Sequence, residues 1–212
     1  MSDIRRIAGA WYPMNTLGNA VQGMGWAALP FLLLPMLALL APRTHGFALA
    51  VASVLDDASR GIGEVVKWTL PVLVLSVVFT VFMLSIFGWA SIKMDESAVY
   101  LHAFALMLGA SAALLADEHV RVDVLYARMS AQTQALVDFA GFYALLTPLM
   151  LVVVWESQSA TAFSWAILEG SPDADGIRGR FLIKTLIPAF AVMMLAQGMA
   201  IAVRAAVAMR EP

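Results

Sequence analysis

The sequence predicts an all-α integral membrane protein: a four-helix transmembrane bundle with an additional N-terminal apolar helix and interfacial amphipathic helices. Two observations of composition and one of patterning predict it. Hydrophobic residues fill 61% of the 212 positions and charged residues only 13%, against roughly 45–50% and 25% in soluble domains. Mean hydropathy is +0.82. The apolar residues are also gathered into uncharged runs close to the roughly 20 residues a helix needs to cross hydrocarbon.

Composition excludes several classes at once. Cysteine is absent, which removes disulfides, thiolate metal sites and cysteine nucleophiles. The net charge of −2 provides no basic surplus of the kind nucleic acid attracts, so no nucleic-acid partner is expected.

The elements follow in order. Residues 1–67 form an N-terminal region. No residue from Ile7 to Ala41 is charged, and the densest part, Trp26 to Ala41, is interrupted by Pro30 and Pro35. Three readings fit this segment: a kinked transmembrane helix, a re-entrant or interfacial segment, or an uncleaved signal-like element behind Arg5 and Arg6. From Arg43 to Lys67, Asp56, Asp57, Arg60, Glu64 and Lys67 punctuate apolar residues. That pattern fits an interfacial helix leading into the first span, and, given Gly61 and Gly63 in its middle, fits a plain polar linker equally well.

Residues 68–205 carry four spans. Trp68 to Ala90 is uncharged, and its bounding tryptophans, Trp68 and Trp89, stand roughly 31 Å apart at helical rise, the thickness of the hydrocarbon. Ala98 to Ala116 is the second span, with a small-residue face at Gly109, Ala110, Ser111, Ala112 and Ala113 that lets helix backbones approach closely. Asp117 to Gln134 mixes charges with valine and leucine, as a surface-lying helix would. Ser130 is placed to cap the third span, Phe139 to Trp155, which Glu156 closes. A polar, turn-rich segment from Ser157 to Lys184 follows, then the fourth span, Thr185 to Val203, and a cytoplasmic tail at 206–212.

Orientation follows from the basic residues. Arg43, Arg60, Lys67, Arg121, Arg128, Arg204 and Arg210 would lie on one side; Lys93, Arg178, Arg180 and Lys184 on the other. The positive-inside rule puts the larger set in the cytoplasm.

Chemistry is sparse. Carriers and pumps hold ions and polar substrates on ionisable residues or broken helices at membrane depth, whereas Asp138, Glu156 and Lys184 sit at span ends. The interior polar side chains, Ser76, Thr80, Ser85, Ser111, Thr147 and Gln197, are mostly hydroxyls that can bond back to their own helix. Haem between facing helices needs paired histidines, but of His45, His102 and His119 only His102 lies within a firm span. No metal-ligand spacing, G-x-S-x-G or phosphate loop is present. No catalytic residue, metal or cofactor is therefore expected.

One segment carries a more specific signal. Glu118-His119-Val120-Arg121-Val122-Asp123 through Arg128-Met129-Ser130 resembles the small permease subunit of tripartite ATP-independent periplasmic (TRAP) transporters. There an H-V-R-V-D stretch joins the second and third helices, and His119, Arg121 and Asp123 match it in place. Further similarities come in register: Asp95-Glu96-Ser97 with Tyr100-Leu101-His102, Trp155-Glu156-Ser157, Trp165 with Glu169-Gly170-Ser171, and Lys184 through Pro188. The match covers roughly Asp56 to Arg204. The family usually has four spans, and the apolar stretch at 26–41 departs from that pattern.

The resemblance implies a multi-pass subunit of the bacterial inner membrane that scaffolds a large TRAP permease subunit. That complex would take up an organic acid or similar solute, driven by a cation gradient and delivered by a periplasmic solute-binding protein. It implies interface roles for His119, Arg121 and Asp123, the alternative being a solvated turn that fixes topology. Glu96, Glu156, Glu169 and Lys184 would be boundary anchors. The outer loop from Ser157 to Lys184 would contribute to docking the binding protein. Two other classes compete: a membrane anchor of a redox complex, which would need histidines at matched depth or a quinone pocket, and a stand-alone channel.

Overall fold

The computed structural model describes residues 32–116 and 126–210. His119, Arg121 and Asp123 lie outside the described residues, as do residues 26–31 of the N-terminal apolar stretch. Among the described residues every regular element is helical. Four helical stretches among the described residues are long and apolar enough to cross a membrane: Pro42–Phe87, Ile92–Leu115, Ala131–Ala166 and Arg180–Ala208.

The described chain opens with α1, Leu34–Leu40, a seven-residue helix with Pro35 in its first turn, where a missing N–H is harmless. It is about 10 Å long at helical rise. Leu34 and Ala38 are packed into the core, and the Tyr143 hydroxyl donates to the Leu32 carbonyl at 2.8 Å. A single 3-10 turn, Pro42–Thr44, follows. Next comes α2, His45–Phe87. The charged segment and the first span are thus one helix of 43 residues, about 64 Å long. Gly61 and Gly63 do not interrupt it. At Gly63 the missing side chain is what packing needs, since a Cβ there would stand 2.7 Å from that of Ala112.

Gly88, at φ +63, ends α2 by the left-handed cap in which its N–H returns to Leu84 O at 3.1 Å, a conformation glycine adopts without penalty. The chain reverses into α3, Ile92–Leu115. A Cβ at Gly109 of α3 would stand 3.1 Å from Val66 of α2, so the two helices form a close hairpin.

Ser130 caps α4, Ala131–Gly141, accepting the Thr133 N–H at 3.3 Å, as its position predicts. A π turn at Phe142–Leu146 joins α4 to α5, Thr147–Ala166. The wide turn has a local cause: Pro148 has no N–H to give the carbonyl four residues back, and inserting a residue into the ladder relieves the mismatch. The last helix, α6, spans Arg180–Ala208.

Each helix is longer than its expected span, although α2 and α3 stop at Phe87 and Leu115, short of the expected ends at Ala90 and Ala116, which leaves Trp89 outside the helix. The third continues to Ala166, so Glu156 lies inside α5 instead of closing it, and residues 157–166 are helical. Hydropathy reports where a helix leaves hydrocarbon; backbone hydrogen bonding continues into water until a cap or a turn stops it.

The core is organised around α6. Ala191, Gly198, Ala200, Ala202, Ala205 and Ala206 are buried along it, and every other helix leans on this small-residue surface. The tightest crossing is at Gly198, where a Cβ would overlap the Leu146 side chain and stand 3.1 Å from Phe142. α2 is the opposite case: none of its most apolar 18-residue stretch is buried, against half of that of α6.

Candidate functional site: two polar clamps on the bundle

Two polar clusters hold the α2–α3 hairpin to the rest of the bundle, one at each end. At the loop end, where α2 turns into α3 and residues 167–179 join α5 to α6, the first turns of α3 place Glu96 beside that loop. One carboxylate oxygen accepts the Ser171 hydroxyl, and the other accepts the Ile177 N–H at 2.5 Å. The loop also bonds to itself: Ser171 N–H to Ile177 O at 3.1 Å, Gly176 N–H to Asp173 O at 3.1 Å and Gly179 N–H to Ile177 O at 3.0 Å. Asp173 donates its N–H to the Ser171 hydroxyl at 3.1 Å.

The root of the loop is fixed by Glu169. It forms an ion pair with Lys184 in the first turns of α6, and Arg180 Nε lies 3.7 Å from its other oxygen. Lys184's hydrogen bond above all, with the Arg180 charge adding to it, holds the Glu169 carboxyl below the ordinary carboxylate value. Trp165 Nε1–H donates to Thr185 Oγ1 at 2.8 Å, and its ring meets Phe181 edge-on at 4.7 Å. Leu168 enters the loop at φ +47, a left-handed conformation normally left to glycine at helix ends.

At the tail end, where α6 finishes, Asp56 of α2 meets two residues of α6. Gln197 Nε2 donates to its Oδ1 at 2.9 Å, and Arg204 pairs with its Oδ2. Gln197 is fully buried, and Asp56 is 16% exposed against 41% for Arg204. Burying this carboxylate is tolerable because it has both a cation and an amide donor. Beside this pair, Arg204, Asp138, Gln134 and Tyr126 line a groove of about 360 Å³. There the Tyr126 hydroxyl donates to Asp138 at 2.8 Å and Gln134 donates to Tyr126 O at 3.0 Å.

Of the residues singled out by sequence, the structure brings Glu96, Glu169 and Lys184 together around one loop. Glu156 is exposed on α5 and takes part in none of these bonds. Sequence reasoning did not single out Asp56, Gln197 and Arg204 as a cluster. The available signal was the seven-residue spacing of Gln197 and Arg204, which puts both on one helix face. Among the described residues no group of three His, Cys, Asp or Glu side chains is placed to hold a metal ion.

Fold and clamps together define a multi-pass, all-helical membrane protein, held by polar contacts at both ends of a hairpin and by small residues between. The family follows from the sequence match: residues 67–208 fit the model of the DctQ component of tripartite ATP-independent periplasmic transporters. The match covers about two thirds of the chain, and the protein belongs to that family of transporter components. It begins at Lys67, so Asp56 reaches α6 from outside the matched region. Comparison with the curated proteins and with the solved structures finds no match.

Proposed function

We propose that this chain is the small membrane subunit that scaffolds the large permease subunit of a TRAP-type secondary transporter. The complex takes up an organic acid or similar solute, delivered by a periplasmic binding protein and driven by a cation gradient. The observation that carries the scaffold role is the contrast between α2 and α6: α2 offers a helix-long apolar face, including Leu70, Val74, Leu75, Val78 and Phe82, while the two clamps keep it attached. Such a face serves equally for lipid and for the apolar surface of a larger membrane protein, and in lipid association rests on packing instead of on water exclusion.

The basic residues orient the subunit with α2 running outward, so that the loop end is periplasmic and the 206–212 tail cytoplasmic. In that orientation the 167–179 loop is available to the binding protein. Arg121, by its resemblance to the family's signature, meets a lipid phosphate or a large-subunit carboxylate, with Asp123 orienting it and His119 beside them. Arg121→Ala then lowers complex yield and uptake; unchanged values for both would remove the role.

Purification of the tagged chain in mild detergent, followed by mass spectrometry of what accompanies it, tests the main reading. Recovery of one large multi-span membrane protein supports it. A chain that stays alone, or one that carries a haem spectrum, removes it, the latter in favour of a redox-complex anchor.

A further inference from the structure

We propose that Glu96 is a positioning residue: its carboxylate fixes the shape of the 167–179 loop that meets the binding protein. This rests on the reading that the loop docks that partner.

The geometry points to Glu96 because of where its two bonds fall. Ser171 and Ile177 are the two sides of the loop's neck, already joined by the Ser171 N–H to Ile177 O bond at 3.1 Å. Glu96 binds both sides at once, one with each oxygen. It comes from a different hairpin, 75 and 81 residues away in the chain, so the loop's shape is referred to α3 and is not left to α5 and α6 alone. The neck has no spare volume: a Cβ on Gly176 would overlap Ser171 and stand 2.8 Å from Glu96 Oε2. Beyond the neck, Pro172, Asp173, Ala174 and Asp175 are all exposed. A tip that projects from a latched neck is pre-ordered for binding, and pre-order raises affinity by removing the entropy that a loose loop loses on docking.

The effect of Glu96 is read on docking. The test uses the complete complex in nanodiscs, titrated with its own purified binding protein, and trypsin as a probe of the bond after exposed Arg178. Glu96→Ala is expected to weaken binding about tenfold, the loss of one charge-assisted hydrogen bond's worth of ordering. It should also speed cleavage at Arg178, with complex yield unchanged and only a small fall in melting temperature, since the Asp56 clamp still holds the hairpin. Glu96→Gln keeps an oxygen for Ile177 and an amide for Ser171, and is expected to stay within about twofold of the parent. Gly176→Ala, which leaves the carboxylate in place but crowds both Ser171 and Glu96 Oε2 from the loop side, should reproduce the loss if Glu96→Ala proves hard to produce. Unchanged cleavage in both Glu96→Ala and Gly176→Ala overturns the latch. Faster cleavage with unchanged affinity keeps the latch but overturns docking by this loop, and the proposal with it.

Discussion

α2 and α6 are both apolar enough to cross a membrane, yet they occupy opposite environments. The most apolar stretch of α6 is half buried and that of α2 not at all. Hydropathy does not account for this, since the unburied stretch of α2 is the more apolar of the two; side-chain size does. α6 presents alanine and glycine at its contacts, whereas α2 carries valine, leucine and phenylalanine around its span. With lipid as solvent, an apolar side chain gains little by turning inward, so burial goes to the helix whose small residues allow close contact over the greatest length. What α2 lacks in packing along its span is replaced at its ends: Asp56 ties it to α6, and through α3 Glu96 ties the hairpin to the loop. At the tail end, small contacts at Gly63 and Gly109 zip α2 to α3.

If that contrast is right, the largest effect comes from filling the α6 crossing. Gly198→Leu forces a side chain into Leu146 and Phe142, and should destabilise the chain by about 3 kcal/mol, read as a fall in melting temperature in detergent. A drop of less than ~1 kcal/mol would mean that α6 is not the hub. Next is the tail-end clamp. Arg204→Ala leaves the Asp56 carboxylate with only Gln197, and is expected to cost about 1–2 kcal/mol once the exposure of Arg204 is allowed for. Adding Asp56→Ala should restore part of the loss, because the unpaired charge is what destabilises.

A smaller, local effect is expected from pH. Glu169's carboxyl is held low in the folded protein, so its bond to Lys184 contributes fully above the unfolded value of about 4.3 and is lost as pH falls through the lower folded value. Protection of the amides at residues 167–179, relative to their intrinsic exchange rates at each pH, should therefore be unchanged from pH 7 to 5 and fall only below about pH 4, while the core of α6 stays protected. Loosening at pH 6 would show that the loop is held by something other than this carboxylate. The smallest stability effect is on the bare face of α2: Leu75→Ala, at a residue 67% exposed, should alter the melting of the isolated chain by no more than about 0.5 kcal/mol. A larger change would mean that the face already packs within the chain.

Much of this protein is legible locally. Ser130 as a cap, the tryptophan-bounded span from Trp68 and the apolar runs of α3 and α6 depend on nearest neighbours and on uninterrupted apolar length, which are written along the chain. The family signature was legible too, since Asp95-Glu96-Ser97, Glu169-Gly170-Ser171 and Lys184 through Pro188 lie within the region that matches the DctQ component. The seam between the charged segment and the first span was not. Gly61 and Gly63 signal a break by propensity, and only the Ala112 contact across the hairpin turns Gly63 into an asset.

By itself, then, the sequence determined the class of solvent, the number of firm spans and the family, because each of these is a sum over local hydropathy or a match of residues in order. The tertiary structure alone decided which helix became the hub and which polar groups met. Asp56 bonds to Gln197 and Arg204 across 141 and 148 residues, and Glu96 to Ser171 and Ile177 across 75 and 81. Pairings at such separations leave no period in the chain; they exist only once helices of unlike side-chain size have sorted themselves into a centre and a rim.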